Sequence, residues 1–198
     1  MGDAIMLGAI KYNLTNLTNF SGRDARQTFW FYVLFLVIVQ YAIGMLIALP
    51  MMGSAMSGAF QGVQQGLSEE QMQHQMMAAM AGSMRTSMYA SVAISVISSL
   101  LILAAFVRRL HDSNRPGWIA GVAFALVLAS QLYNLSRIGE IIEVMATMDP
   151  SNPAATMNMQ GMLGVSALAW IGYLIVIVFG AWPSTPGPNR YDEASTQF

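Results

Sequence analysis

The chain has 198 residues, 55% of them hydrophobic and 10% charged, with 9 Lys+Arg against 10 Asp+Glu. A soluble domain carries roughly a quarter charged residues, so this composition excludes a surface facing water all round, and the near-neutral balance excludes the cationic footprint that nucleic acid requires. The lack of cysteine excludes disulfides, thiolate metal sites and cysteine nucleophiles.

Residues 1–28 hold Asp3, Lys11, Arg23, Asp24 and Arg26 with no long apolar run, unlike a cleavable signal. Leu7, Ile10, Leu14 and Leu17 share one helical face behind Asp3 as a cap, which predicts an amphipathic helix lying at the cytoplasmic interface. Asn13 and Asn16 each begin a glycosylation pattern, discounted because it falls on the predicted cytoplasmic side.

Four uncharged apolar stretches follow, at about 29–49, 89–107, 118–133 and 163–182, each approaching or crossing a ~30 Å hydrocarbon core at ~1.5 Å per residue. They form a membrane domain over 29–182. Phe29, Trp30, Tyr32, Tyr89, Trp118, Tyr133 and Trp182 stand at the ends of the stretches, as an aromatic belt would. Ser87, Ser91, Ser95 and Ser99, and Gly121, Ala125 and Ala129, repeat every four residues. That spacing predicts close helix packing.

The connections 50–88 and 134–162 are rich in methionine. Met51–Gly66, full of Gly, Ser, Ala and Gln, reads as a flexible loop. Ser68-Glu-Glu-Gln71 is a capping box. After it, Met72, Met76, Met80, Met84 and Met88 form one stripe running into the second span, which predicts a continuous helix from about Glu69 to Arg109. Leu135, Ile138, Ile142, Met145 and Met148 likewise predict an outward extension of the third helix, ending before Asp149-Pro-Ser-Asn-Pro153 and packing against the methionine stripe. Thioethers are soft enough for Cu(I), but with no cysteine and one nearby histidine the stripe reads as an adaptable apolar surface, a partner interface at Met72, Met76, Met80 and Met84. No metal or cofactor is expected.

Seven of the nine basic residues lie before the first span, between the second and third, or in the tail 183–198; Arg85 and Arg137 fall on the other side. Cationic loops stay in the cytoplasm, which predicts both termini inside and the methionine-rich connections outside.

Three segments carry the polar specificity: Phe20-Ser-Gly-Arg-Asp-Ala-Arg26 leading to Trp30; Arg108-Arg-Leu-His-Asp112 with Arg115-Pro-Gly-Trp118; and Pro186-Gly-Pro-Asn-Arg-Tyr191. In this order they resemble a bacterial inner-membrane family known as domain of unknown function 805. The resemblance implies a fold and a membrane location and supplies no activity. Arg23, Arg26, Arg108, Arg109, Arg115 and Arg190 share the cytoplasmic side, where guanidinium groups set topology, fork onto anionic lipid phosphates, or pair with Asp24 and Asp112. His111 beside Asp112 is expected to bond neighbouring arginines and to order the turn between spans two and three rather than to hold a metal.

The expected architecture is all-α and polytopic, with four transmembrane helices, helical extensions on the extracytoplasmic side and an interfacial N-terminal helix. The expected function is non-enzymatic, an accessory or scaffolding subunit that meets anionic lipids and a membrane-protein partner or its own copy. The alternatives are a small transporter or channel, weakened because no span holds Asp, Glu, Lys, Arg or His, and an enzyme acting on lipid headgroups.

Overall fold

The computed structural model describes residues 2–147 and 166–197. Within them the chain is helical: α1, Gly2–Thr15; α2, Arg26–Gln64; α3, Glu69–Asp112; α4, Trp118–Thr147; and α5, Ser166–Ala181. Helices α2, α3 and α4 contain segments, Arg26–Gln64, Ser83–Asp112 and Trp118–Glu143, long and apolar enough to cross a bilayer, and Ala167–Ala181 is a shorter apolar helix. The protein is therefore a multi-pass membrane protein. The first part of the predicted fourth span, the predicted stop at 149–153, and the side chains of Asp3, Met145 and Met148 lie outside the described residues.

At ~1.5 Å per residue, the 39 residues of α2 and the 44 of α3 make helices of about 58 and 66 Å. The capping box starts α3: the Ser68 amide donates to Gln71 Oε1 (3.1 Å) and the Gln71 amide to Ser68 Oγ (3.4 Å). The predicted extensions of the second and third spans are thus present as parts of α3 and α4. The predicted loop over Met51–Gly66 is not: α2 continues to Gln64 through Pro50. Proline removes one intrahelical donor, a loss that long apolar helices absorb.

Two compact units emerge, one of Met1–Gln40, Ser95–Ser130 and Ala167–Phe198, the other of Tyr41–Ile94 and Gln131–Ser166. In the first, Phe29, Tyr32, Leu36, Phe106, Leu110 and Ala123 are buried together. Phe29 and Tyr32 are therefore core residues, whereas Trp118, Tyr89 and Trp182 are exposed as an aromatic belt requires. Small residues set the closest approaches. A methyl on Gly172 would lie 2.8 Å from the Ala123 carbonyl oxygen, and one on Gly180 would lie 2.7 Å from the Phe29 ring. The α4 seam expected at Gly121, Ala125 and Ala129 is corrected: those positions are exposed, and the face turned inward carries Ala120, Ala123, Val127 and Ser130. Spacing by four fixed a periodicity without fixing which face would carry it.

The second unit explains why the glycine-rich half of α2 is helical. A methyl on Gly58 would stand 3.2 Å from the Met76 Cα, and one on Gly62 would stand 2.9 Å from Met72 Cγ. Ser54 Oγ is 2.8 Å from Ser83 Oγ. Ser54, Gly58 and Gly62 thus form a small-residue stripe into which the α3 methionines fit, and this packing overrides the low helix propensity of glycine. Met72, Met76, Met80 and Met84 are half-buried. Part of the predicted partner stripe is accordingly covered by α2 of the same chain. Ile138 and Ile142 of α4 are buried as expected.

Candidate functional site: a buried arginine cluster

The three polar motifs meet in the first unit. Arg23, Arg108 and Arg109 are at most 2% exposed, and Asp24 and Asp112 are fully buried. Burying such groups is costly unless they are paired and hydrogen-bonded. Arg108, at the end of α3, places its Nε 3.0 and 3.1 Å from the two Asp24 carboxylate oxygens. Its remaining donors reach the Asn16 carbonyl (3.0 Å), the Asn19 carbonyl and Asn13 Oδ1 (2.6 Å). The Tyr12 ring lies 5.3 Å from the same guanidinium. One arginine therefore anchors α1 and the segment after it to α3.

Arg109 points to the other side. It bonds Asp112, the Gly180 carbonyl (2.9 Å), the Trp182 carbonyl and Ser184 Oγ (3.3 Å), which satisfies the exposed carbonyls at the end of α5. Arg23 donates to Asp112 (3.2 Å) and to the Thr185, Gly187 and Asp192 carbonyls at 2.8, 2.8 and 3.3 Å. Its Nε has no partner among the described residues. Asp112 also accepts from Ser195 Oγ. Two carboxylates thus pair with three guanidinium groups away from solvent, and backbone carbonyls accept their remaining hydrogen bonds. Burial pushes the Asp24 carboxyl above its ordinary range, opposed by the Arg108 guanidinium.

The tail completes the arrangement. The Thr196 amide donates to the Arg23 carbonyl (2.7 Å), the Ala25 amide donates to the Thr196 carbonyl (3.2 Å), and Thr28 Oγ1 donates to the same oxygen (2.9 Å). Asn189 Nδ2 donates to the His111 carbonyl (2.9 Å), and the Tyr191 ring stacks on the His111 imidazole with centroids 3.8 Å apart. His111 Nδ1 lies 3.3 Å from the Gly22 carbonyl. The expectation that His111 bonds arginines is corrected: its partners are a carbonyl and an aromatic ring, while its neighbour Asp112 does bond Arg23 and Arg109. Gly22 adopts φ +92, a conformation that favours glycine, and the turn after α3 passes through Asn114 at φ +56. A methyl on Gly117 would stand 2.9 Å from Val107, so this glycine lets α4 start close against α3.

The other predicted residues stay outside this core. Arg115 lies over Trp182 (4.9 Å) and Phe179 (5.9 Å). Arg190 is exposed and reaches the Asn114 carbonyl (3.3 Å), and Arg26 is exposed. Sequence reasoning placed six arginines on one polar face; the fold takes Arg23, Arg108 and Arg109 inside. It also missed Asn13, Ser195 and Thr196. Asn13 is 1% exposed and binds Arg108, and the only signal for that was its place in a discounted glycosylation pattern.

Several long apolar helices in a chain that is helical over its described residues define a multi-pass membrane protein, and the polar motifs of its first unit meet in a buried arginine cluster. The model of one family, described as "Protein of unknown function (DUF805)", matches residues 17–193, and the chain belongs to that family. The match spans all three motifs of the cluster. No curated protein and no solved structure matches the chain.

Proposed function

We propose that the chain is a four-span protein of the bacterial inner membrane, with both termini cytoplasmic. It works as a non-enzymatic accessory or scaffolding subunit that meets a membrane-protein partner, or its own copy, through the second unit. Orientation rests on charge: Lys11, Arg23, Arg26, Arg108, Arg109, Arg115 and Arg190 all belong to the first unit, and cationic segments are retained in the cytoplasm. Anionic lipid phosphates meet the exposed members, Lys11, Arg26 and Arg190.

The observation that carries the scaffold reading is on α2. Met45, Leu49, Met52, Met56, Phe60 and Val63 recur every three or four positions and are 58% to 77% exposed. This is the spacing of a seam between helices. The helix is about 58 Å long, and the hydrocarbon core is ~30 Å thick, so part of the stripe lies beyond lipid. Apolar surface there has to be covered. Between Arg26 and Glu69 the chain has no charged residue, so the cover has to be uncharged as well.

The lack of cysteine makes the test direct. A Met56→Cys variant treated in native membranes with a short bis-maleimide should give an adduct heavier than the monomer, identified by mass spectrometry. A Ser54→Cys variant, whose side chain faces Ser83, should not. Cysteines at Met52, Met56 and Phe60 that all stay monomeric would remove the scaffold reading. For orientation, a reporter at Gln64 should be active outside the cytoplasm and one at residue 2 inside it.

A further inference from the structure

The helices of the first unit do not close completely. They leave a cavity of about 230 Å³ bordered by α2, α3, α4 and α5. Its walls are hydrocarbon over most of their length, with Trp30, Phe106 and Ala120 toward one end and Val127 toward the other. Along α3 it reaches from Ser95 to Phe106, about 16 Å at ~1.5 Å per residue. Among the described residues no charged side chain lines it.

Trp30 Nε1 is taken by the Gly180 carbonyl (3.2 Å), and the other hydrogen-bonding groups are gathered away from the arginine cluster: Gln40, Ser95, Ser98, Ser99 and Tyr173. Gln40 stands about 21 Å along α2 from Arg26 at ~1.5 Å per residue, deep within the apolar segment. Ser99 Oγ is taken by the Ser95 carbonyl (2.8 Å). Neither the Gln40 amide nor the Ser98 hydroxyl has a hydrogen-bond partner among the described residues. Polar groups at that depth call for a partner, because lipid tails supply none. Packing does not require Gln40 to be polar, since the neighbouring lining residues are Val33, Leu36 and Val37.

We propose that this cavity binds a neutral, chain-like amphiphile whose carbonyl or hydroxyl head accepts hydrogen bonds from Gln40 and Ser98 and whose hydrocarbon body lies along the wall toward Phe106. The head must be uncharged, since the wall offers no counterion and an unpaired ion is strongly disfavoured in that environment. An isoprenoid quinone and a neutral glycerolipid both have this chemistry. A phospholipid has the chains and brings an ionic head that the cavity cannot pair. The inference stands on the first unit alone and does not depend on the scaffold reading.

The test uses the full chain purified in mild detergent, with the neutral lipids it retains quantified by mass spectrometry. Two variants accompany it: Gln40→Leu, which removes the head contact, and Ser98→Phe, which fills the space. The parent should retain about one neutral amphiphile per chain. Gln40→Leu should lower retention roughly tenfold, the size of one hydrogen bond made away from water, and Ser98→Phe should abolish it. The source is then separated in nanodiscs by titration with decyl-ubiquinone or dioleoylglycerol, read through the fluorescence of Trp30, with Trp30→Phe as the blank. Saturation by the quinone alone assigns a quinone site, and saturation by the glyceride alone assigns a glycerolipid site. Equal retention in the parent and Gln40→Leu, retention of bulk phospholipid only, or saturation by neither probe overturns the proposal.

Discussion

The two units solve opposite problems. The first buries Arg23, Arg108, Arg109, Asp24 and Asp112 and is held by charge-assisted hydrogen bonds that tie α1, the end of α3, the end of α5 and the tail together. The second joins α2 to α3 through Gly58, Gly62, Ser54 and a methionine stripe, and leaves a second apolar stripe of α2 exposed. Buried ion pairs have narrow geometric tolerance, and losing one partner strands the other. Methionine packing adapts to its surroundings. The first unit should therefore respond sharply to single substitutions and the second only gradually.

The largest effect should come from Asp112→Ala, which leaves Arg23 and Arg109 without their carboxylate. A loss of about 3–5 kcal/mol is expected, seen as a collapse of folded yield or of the melting temperature in mild detergent. A variant that melts with the parent would break the contrast at its strongest point.

Gly58→Val should cost about 1–3 kcal/mol by overpacking, because the nearest atoms include the Met76 Cα and the Gln75 carbonyl oxygen, which are backbone. Gly62→Ala should cost less, since what it meets first is Met72 Cγ, which rotation of the side chain can move, while the nearest backbone atom stands 3.7 Å away. Thermal melts of the two variants side by side check that order. Replacing Met72, Met76, Met80 and Met84 together by Leu should cost under ~1.5 kcal/mol per site and keep the cross-linked assembly, because the volume and apolarity are conserved. Gln at the same four positions should lose the assembly.

The smallest effect on stability should come from Arg26→Gln with Arg190→Gln, within about 0.5 kcal/mol for exposed sites. The same pair should retain less phosphatidylglycerol, measured by mass spectrometry of the purified protein. A large drop in melting temperature would place these arginines in the structural group.

Much of the membrane architecture was legible because hydropathy, caps and periodicity are local properties. Ser68 and Gln71 announced the start of α3, and an uninterrupted methionine repeat announced its length. The helical state of Met51–Gln64 was not legible, because glycine and serine signal flexibility until a partner helix takes up the space they leave. The site was half legible. The motifs marked Arg23, Arg108, Arg109 and Asp112 as a group, yet an arginine inside a carbonyl-lined cluster and one facing lipid read alike in sequence. What separates them is the tail: Thr185, Gly187 and Asp192 supply backbone carbonyls, and carbonyls are identical in every residue.

The central claim is that the motif arginines hold the fold together from within, and a double-mutant cycle on Arg108 and Asp24 tests it most directly. Arg108→Met and Asp24→Leu, singly and together, are melted in nanodiscs of fixed lipid composition. Each single change should cost about 3–5 kcal/mol, as breaking a buried pair does. The double variant should lose less than the sum, with a coupling of about 0.5–3 kcal/mol. Single variants that melt with the parent and lose only bound anionic lipid would contradict the claim, and would return Arg108 to the membrane surface.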